Sequence, residues 1–524
     1  MKTIVYTGLA ALALCVTAAF YACSPKESPV QSDFDFAGSQ LRIALQTADS
    51  IRSAQGKTLA ELPSPRNIEP DGSMRLVDPT DWCSGFFPGE LWYMYEYTGD
   101  DFWKQQAEAY TGALESQQTN RGTHDIGFMM YCSYGNGERL APNDRYKEVL
   151  LESARSLASR FNPTTGCIRS WDNWGPDFPW QYPVIIDNMM NLELLFWAAR
   201  ESGDSTFYKI AVTHADTTMK NHFRPDYSSF HVVDYDTLSG KVLGRQTHQG
   251  YADSSAWARG QAWGLYGYTV CYRETKDPKY LAQAENIAGL IFSNKNIPED
   301  LIPYWDYDAP GIPDEPRDVS AATVAASALY ELSTFSADSV KYRAWADRII
   351  DTLSANYLVQ PGTMHGFLLR SSTGHKPGGT EIDVPIVYAD YYFLEALLRK
   401  QRLEKGETGQ RIIPLRKRDL TTNKTGAIHI RIYRQPGDKN VSRLSLFPPV
   451  ADHPDRLSIH FPLPKPMGSR KRTTIWLQCI MKQTERISLL PLYQISVSRV
   501  SSMDENGYKT RPLHQRLHEC SLSV

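Results

Sequence analysis

The stretch Pro183 to Asn191, PVIIDNMMN, sets one carboxylate, Asp187, among Ile185, Ile186, Met189 and Met190 at the predicted first turn of a helix. Apolar surroundings disfavour the charged form and raise a carboxyl pKa, which suits the group to hold and donate a proton near neutral pH. Trp171, Trp174 and Trp180 lie nearby in the chain and add to that setting. The structural alternative is a helix cap, because an Asp side chain readily accepts from the free N–H groups of a first turn. A second stretch, THDIGFMMY from Thr123 to Tyr131, repeats the arrangement: Asp125, preceded by His124, stands before an apolar and aromatic run. Two carboxylates so placed are expected to work as a pair, with Asp187 as the proton donor.

A further block, THQGYADSSAWARGQAWGLYGY from Thr247 to Tyr268, combines His248, Gln249, Arg259 and Trp263. Arg259 and Trp263, four apart, share one helix face. A guanidinium is the natural partner of a carboxylate, and an indole of a sugar ring face. Each residue alone has an ordinary structural use. Together, opposite two buried carboxylates, they point to a uronic acid site. The loop LRSSTGHKPGG, Leu369 to Gly379, offers Arg370, Ser371, Ser372, His375 and Lys376, a set able to hold a sulfate through charge-assisted hydrogen bonds.

These residues need a scaffold that brings distant segments to one face. From about residue 38 to 403 the sequence alternates helix-periodic segments with loops. Twelve segments fall near 38–55, 86–98, 100–118, 125–135, 143–160, 185–202, 204–221, 255–275, 277–293, 318–335, 337–356 and 387–403, and the clearest strand pattern is Ser229 to Tyr235. Short polar turns such as Thr98-Gly99-Asp100 and Ser202-Gly203-Asp204 follow the even-numbered segments, and long loops rich in Trp, Pro, Gly and Asp precede them. Even segments are also the more apolar; AATVAASALY, Ala321 to Tyr330, must be buried all round. The pattern predicts an all-α fold, an (α/α)6 barrel of six hairpins whose inner ring is the even segments. Trp82, Asp125, Asp187, Arg259, Arg317 and Tyr388 all fall at or just before the starts of those segments, on one face. Packed helices lie about 8 to 10 Å apart, so neighbouring inner segments can hold Asp125 and Asp187 across a sugar-sized gap.

The 524 residues are 42% hydrophobic and 22% charged, ordinary for a soluble globular chain. Lys2, an apolar run from Leu9 to Tyr21, and Ala22-Cys23-Ser24 resemble a bacterial lipoprotein signal. The run is shorter than the roughly 20 residues of a membrane span. Residues 1–22 are therefore expected to be cleaved and Cys23 to carry lipid, with 23–37 as a tether, in a periplasmic or cell-envelope protein whose only membrane contact is the anchor. The other cysteines (Cys83, Cys132, Cys167, Cys271, Cys479 and Cys520) show no metal-ligand spacing and imply neither zinc nor a disulfide framework. Residues 411–524 hold twenty Lys/Arg against eight Asp/Glu, leaving 36 against 51 before them. The 38–405 body is acidic, and 406–524 reads as a basic, poorly structured extension with no nucleic-acid role assigned.

The blocks THDIGFMMYCSYG, PVIIDNMMNLELLFWA, HQGYADSSAWARGQAWGLYGY, YWDYDAPGIPDEPRDVSAA and IDVPIVYADYYFLEAL resemble the unsaturated glucuronyl hydrolases, glycoside hydrolase family 88. The resemblance runs from about 38 to 403. It implies an (α/α)6 barrel, no metal or nucleotide cofactor, and substrates that are lyase-generated glycosaminoglycan oligosaccharides ending in a 4,5-unsaturated uronate, sulfated ones included. It also implies hydration of a vinyl ether, with Asp187 protonating C4 and activating the water that adds at C5, and Asp125 holding substrate hydroxyls. His124, His231, His248, Gln249, Arg259 and Trp263 would contact the uronate or its water, Trp82 would stack on a sugar, and Ser371 and Lys376 would meet sulfate. Two other readings stay open: an unsaturated rhamnogalacturonyl hydrolase of the related family 105, acting on pectin fragments, and a lipoprotein that binds glycan without turning it over.

Overall fold

The computed structural model describes residues 28–172 and 178–407 and six strands between 420 and 503. The chain divides into two units, Met1–Gly409 and Gln410–Val524. The signal segment, Cys23 and Trp174 lie outside the described residues.

The first unit is helical: α1 (Pro29–Gln55), α2 (Phe86–Thr98), α3 (Asp101–Gly112), a π-helix (Gly127–Gly135) running into α4 (Asn136–Leu140), α5 (Asp144–Ala158), α6 (Asn188–Ser202), α7 (Ser205–Asn221), α8 (Ala258–Thr275), α9 (Pro278–Ser293), α10 (Val319–Leu332), α11 (Ser339–Asn356) and α12 (Val387–Glu404). Three small antiparallel sheets interrupt them: β1 (Ser64–Ile68) with β2 (Met74–Val77), β3 (Phe161–Asn162) with β4 (Cys167–Ile168), and β5 (Pro183–Ile185), β6 (Val232–Tyr235) and β7 (Val242–Gln246) in that order.

Apolar content sorts the helices into two layers. The inner set closes a ring: α2 packs on the π-helix, the π-helix on α6, α6 on α8, α8 on α10, α10 on α12, and α12 back on α2. Within α10 only Glu331 escapes full burial, as expected of a helix apolar on every face. The outer helices α3, α5, α7, α9, α11 and α1 each cover one inner segment and bury a single stripe, such as Tyr280, Ala284, Ile287 and Ile291 of α9. Two of the short turns share one device. Gly203 adopts φ 76° and its N–H closes α6 on Ala199 O, and the Asp204 side chain then accepts from Thr206 N–H to open α7. Gly99 with Asp100 does the same between α2 and α3. Five inner segments lead by short turns into their outer partners, α1 packs beside α12 without a connecting turn, and the long loops are left together at the opposite face.

Several expected boundaries move. The tether expected over 23–37 is helix from Pro29, capped by Ser28, because Val30, Phe34 and Ala37 continue the apolar stripe of α1 into the core. The third segment stops at Gly112 and a 3-10 turn, Glu115–Thr119, follows. The fourth segment is a π-helix rather than an α-helix; π geometry is rare and concentrates at functional sites. The sixth begins with strand β5, and its helix starts only after Asp187. The four described cysteines, Cys83, Cys132, Cys167 and Cys271, are free and buried, as small apolar groups.

In the second unit β8 (Leu420–Thr422), β9 (Ile428–Ile432), β10 (Ser442–Leu446), β11 (Arg456–Pro462), β12 (Thr474–Glu485) and β13 (Leu492–Met503) form one antiparallel sheet with neighbours in chain order. These strands fall within the 406–524 extension, and the stretches between them lie outside the described residues.

The start of α1 gives a direct check. Phe34 is 1% exposed and stacks on Tyr97 with centroids 3.9 Å apart. Phe34→Ala is expected to cost about 3 to 5 kcal/mol in urea unfolding, the range for emptying a core aromatic site. A loss below about 0.5 kcal/mol, typical of an uncoupled surface change, would return this segment to a tether.

Candidate active site

Strand register brings the first functional pair together. β5 runs antiparallel to β6 with Ile185 opposite Val232, and the ladder continues as Ile186 N–H donates to His231 O at 3.1 Å. The next residue on one side is Asp187 and the residue on the other is His231, whose Nε2 lies 3.7 Å from Asp187 Oδ2. Asp187 occupies the N-cap position of α6 but makes no side-chain cap hydrogen bond. The helix-cap alternative is therefore excluded. The residue is 7% exposed, and buried Oδ2 has no hydrogen-bond partner.

Ser170 joins the second carboxylate to the first. Its carbonyl accepts from His124 N–H at 3.4 Å, its N–H donates to Pro183 O at 2.9 Å, and its Oγ accepts from Ile185 N–H at 3.0 Å. The 123–125 segment is thereby laid beside β5. Asn191 of α6 repeats the tie deeper in the barrel, its Oδ1 accepting from Phe128 N–H at 2.9 Å. Gly127 makes this approach possible: a Cβ there would fall 2.5 Å from Asn191 Oδ1. Asp125 Oδ2 then accepts from Thr123 Oγ at 2.6 Å, and Oδ1 sits 3.2 Å from His124 Nε2.

The two carboxyls titrate apart. Burial is the largest influence on Asp187 and, with Asp125 adding to it, outweighs the attraction of His124 and Arg259 and pushes the pKa to about 6. Burial also acts on Asp125, but His124, Thr123 and Arg160 together overcome it and hold that carboxyl below its ordinary value. One group keeps its proton up to about pH 6 beside another that stays ionised, the pattern of an acid and its electrostatic partner. His231 is held neutral, first by burial and then by His248 and Arg259. Its Nδ1 accepts backbone N–H groups from His248 at 3.0 Å and Gln249 at 3.1 Å, so the ring proton sits on Nε2 and faces Asp187.

The other expected residues divide. His248 lines the same pocket wall, its ring against Trp171, Phe178, Trp180 and His375, and burial followed by His375 lowers its pKa to about 4. Gln249 Nε2 donates to Gly374 O at 3.1 Å. Trp82 is partly exposed at the barrel mouth, edge-on to Phe86 and Phe128 and tilted on Tyr388. Arg259 is not a free cation awaiting a uronate. It is 1% exposed, and its Nη1 donates to Asp318 Oδ2 and Thr373 O, both at 2.8 Å, and its Nη2 to Gly374 O at 2.6 Å. Trp263 is not an open plate either, since it is fully buried against Phe128 and Tyr392. Lys376 is paired with Glu315 and rests on the Trp305 ring, so it too is committed within the protein. Ser371 takes a left-handed φ of 68° and its carbonyl accepts from Val319 N–H. Arg317 pairs with Asp300 and caps the Tyr304 ring, away from the carboxyl pair.

Ser170, Asn191 and Gly127 escaped the sequence reading because nothing in a lone Ser, Asn or Gly marks a segment tie; only the register of β5 does. Among the described residues no group of three or more His, Cys, Asp or Glu is arranged to hold a metal ion, and no helix is long and apolar enough to cross a membrane.

Burial of Asp187 makes a stability prediction. The native state binds its proton more tightly than the unfolded chain, so the stability this proton contributes is full below about pH 4 and lost as pH rises through about 6. At 1.36 kcal/mol per unit, wild type should lose about 3 kcal/mol relative to Asp187→Asn over that window. Parallel unfolding curves at acid and neutral pH measure it, and a constant difference would mean the carboxyl is not desolvated.

No protein-family model matches the chain. It is 52% identical over 329 residues to an unsaturated glucuronyl hydrolase of Formosa agariphila, covering 62% of this chain and 82% of that protein. It is 34% identical over 353 residues to the unsaturated glucuronyl hydrolase of Bacillus sp. strain GL1, covering 65% and 91%. Among solved structures, an unsaturated glucuronyl hydrolase specific for heparin superposes with a TM-score of 0.68 at 49% identity over 72% of this chain and 98% of its own. A mutant Streptococcus agalactiae unsaturated glucuronyl hydrolase complexed with dGlcA-GalNAc6S gives 0.60 at 27%, over 72% and 93%. A closed double ring of helices, a proton-holding Asp187 beside ionised Asp125, and these likenesses over the same residues agree: the chain belongs to the unsaturated glucuronyl hydrolases.

Proposed function

We propose that this enzyme removes the 4,5-unsaturated uronate from the non-reducing end of glycosaminoglycan oligosaccharides left by polysaccharide lyases, by hydrating the C4=C5 vinyl ether. The observation that carries the reading is the Asp187 carboxyl, buried, unpaired at Oδ2 and raised to about 6. Hydration of a vinyl ether needs a carbon protonated, and an acid whose pKa lies near the working pH is suited to that task. Asp187 gives its proton to C4, and the positive charge that develops at C5 and the ring oxygen is met by two carboxylates, Asp187 now ionised and Asp125. Water adds to C5 and yields a proton to Asp187, which returns to its starting state. The C5 hemiketal opens to a ketone, and the hemiacetal left at C1 collapses to an aldehyde and frees the sugar.

Trp82 at the mouth stacks on a sugar ring in this reading. His124 fixes Asp125, and neutral His231 offers its Nε2 proton to Asp187 or to the attacking water. Arg259 acts at one remove, holding the 369–379 loop and contributing positive potential at Asp187. A sulfate at that loop would have to draw Lys376 away from Glu315, so the reading rests on the uronate rather than on sulfate. The lipoprotein signal over residues 1–22 belongs to the same proposal: lipid on Cys23 would hold the enzyme in the periplasm or cell envelope.

The test is Asp187→Asn, assayed by loss of the ultraviolet absorbance of the conjugated double bond. Turnover should fall by about 10²- to 10⁴-fold, the usual contribution of a general acid, with substrate still bound. In wild type, kcat/KM should fall as pH rises above about 6, following loss of the Asp187 proton. Near-normal turnover in the variant would remove Asp187 from the reaction, and binding without any absorbance change in wild type would make the protein a glycan-binding lipoprotein.

A further inference from the structure

His231 presents an Nε2 proton to Asp187 only while its Nδ1 receives the backbone N–H groups of His248 and Gln249. Those two residues follow closely on β7, whose Gln246 lies opposite Val232 of β6, and they are tied also by Gln249 Nε2 donating to Gly374 O at 3.1 Å and by His375 Nε2, 3.1 Å from His248 O. Thr247 Oγ accepts from Gly250 N–H at 2.8 Å, and the Asp253 carboxylate accepts from Thr247 N–H at 2.8 Å. A further, buried attachment comes from another part of the chain. Asp306, 0% exposed, accepts Tyr251 N–H at 2.9 Å and Ser255 Oγ–H at 2.7 Å on Oδ2, and Asp308 N–H at 2.9 Å on Oδ1. Asp308 Oδ2 in turn accepts Ala256 N–H at 2.9 Å, and Trp257 and Asp306 form a bridge. Gly250 lies so close to this carboxylate that a Cβ would fall 3.1 Å from Asp306 Oδ2 and 2.6 Å from Thr247 Oγ.

We propose that Asp306 is a positioning residue for the hydration reaction: by anchoring the 247–255 turn it fixes His231 in the tautomer whose Nε2 proton faces Asp187. This rests on the proposed role of the Asp187 site. A carboxylate suits the task because it only accepts, and all three groups around it donate. Without the anchor, His248 and Gln249 N–H drift from Nδ1. The tautomer with the proton on Nδ1 then gains population and turns a bare Nε2 lone pair toward Asp187. That lone pair would take the Asp187 proton as a hydrogen bond and hold it back from C4. The residue touches no reacting atom in this account and acts through the turn and the imidazole.

The amide of Asp306→Asn keeps the shape but aims an N–H at one of the three donors. The expected result is a shift of His231 from the Nε2–H tautomer to a mixture, read by ¹⁵N–¹H long-range spectra of the full-length protein. A fall in kcat of about ten-fold or more with KM changed less than about three-fold should accompany it, because positioning groups act on the chemical step. Asp306→Asn is buried, and Thr247→Val provides the second variant. It loosens the same turn from its partly exposed side by removing the Gly250 contact, and should move the tautomer in the same direction by a smaller amount. An unchanged His231 spectrum in both variants overturns the proposal, as does a tautomer shift in Asp306→Asn with kcat intact. The spectrum reports on His231 whether or not Asp187 is the acid, so failure here is distinguishable from failure of the hydration mechanism.

Discussion

The cost of keeping Asp187 out of water is the constraint on which the rest of this site depends. A buried carboxyl with an unpaired oxygen is unfavourable by several kcal/mol if charged, and below about pH 6 the chain avoids most of that cost by keeping the group protonated. That solution works only if nothing nearby neutralises the charge too well. Arg259, a permanent cation whose charge acts on Asp187, is drawn off by Asp318 and two loop carbonyls. His231 is kept neutral by burial and its own acceptor role. Asp125, ionised and tied to Thr123 and His124, biases Asp187 toward holding its proton. The inner ring provides the apolar enclosure, with Ile186, Met189 and Trp257 all buried nearby.

A toroid of helices offers no rigid wall at its mouth, so its loops are fastened by buried ion pairs and backbone-directed carboxylates. Arg66 grips Asp81, next to Trp82, and Glu381 of the loop before α12. Arg259 grips the same loop at Thr373 and Gly374. Ser371, Glu381 and Asp383 all take left-handed backbone conformations that non-glycine residues adopt only when surrounding contacts enforce them. The charges expected from the sequence to grip substrate are in large part spent on gripping the loops that shape the pocket.

The layered fold was legible because it rests on local pattern. Polar turns and apolar even segments require a double ring, and the two aspartates stood out because a charge among Ile and Met has few cheap explanations. What lay beyond the sequence was long-range. The inclusion of 29–37 in α1 was hidden by polar residues between Val30, Phe34 and Ala37, and the π-helix at 127–135, where Phe128 N–H donates to Asn191 Oδ1, carries no signal in local propensity. The commitments of Arg259 and Lys376 likewise depend on partners at Asp318 and Glu315, far off in the chain and unreadable from spacing. Residue type indicated chemistry well, but whether a cation faces substrate or protein is decided by tertiary contacts.

The central claim is that Asp187 protonates carbon rather than a glycosidic oxygen. The most direct measurement is turnover of an unsaturated glycosaminoglycan disaccharide in deuterium oxide, with the product followed by NMR. Hydration predicts one deuterium placed on a single face of C4, with the double bond gone and the released sugar keeping its original glycosidic oxygen. A free uronate that retains its C4=C5 double bond and carries no deuterium at C4 would show ordinary glycoside hydrolysis and contradict the account.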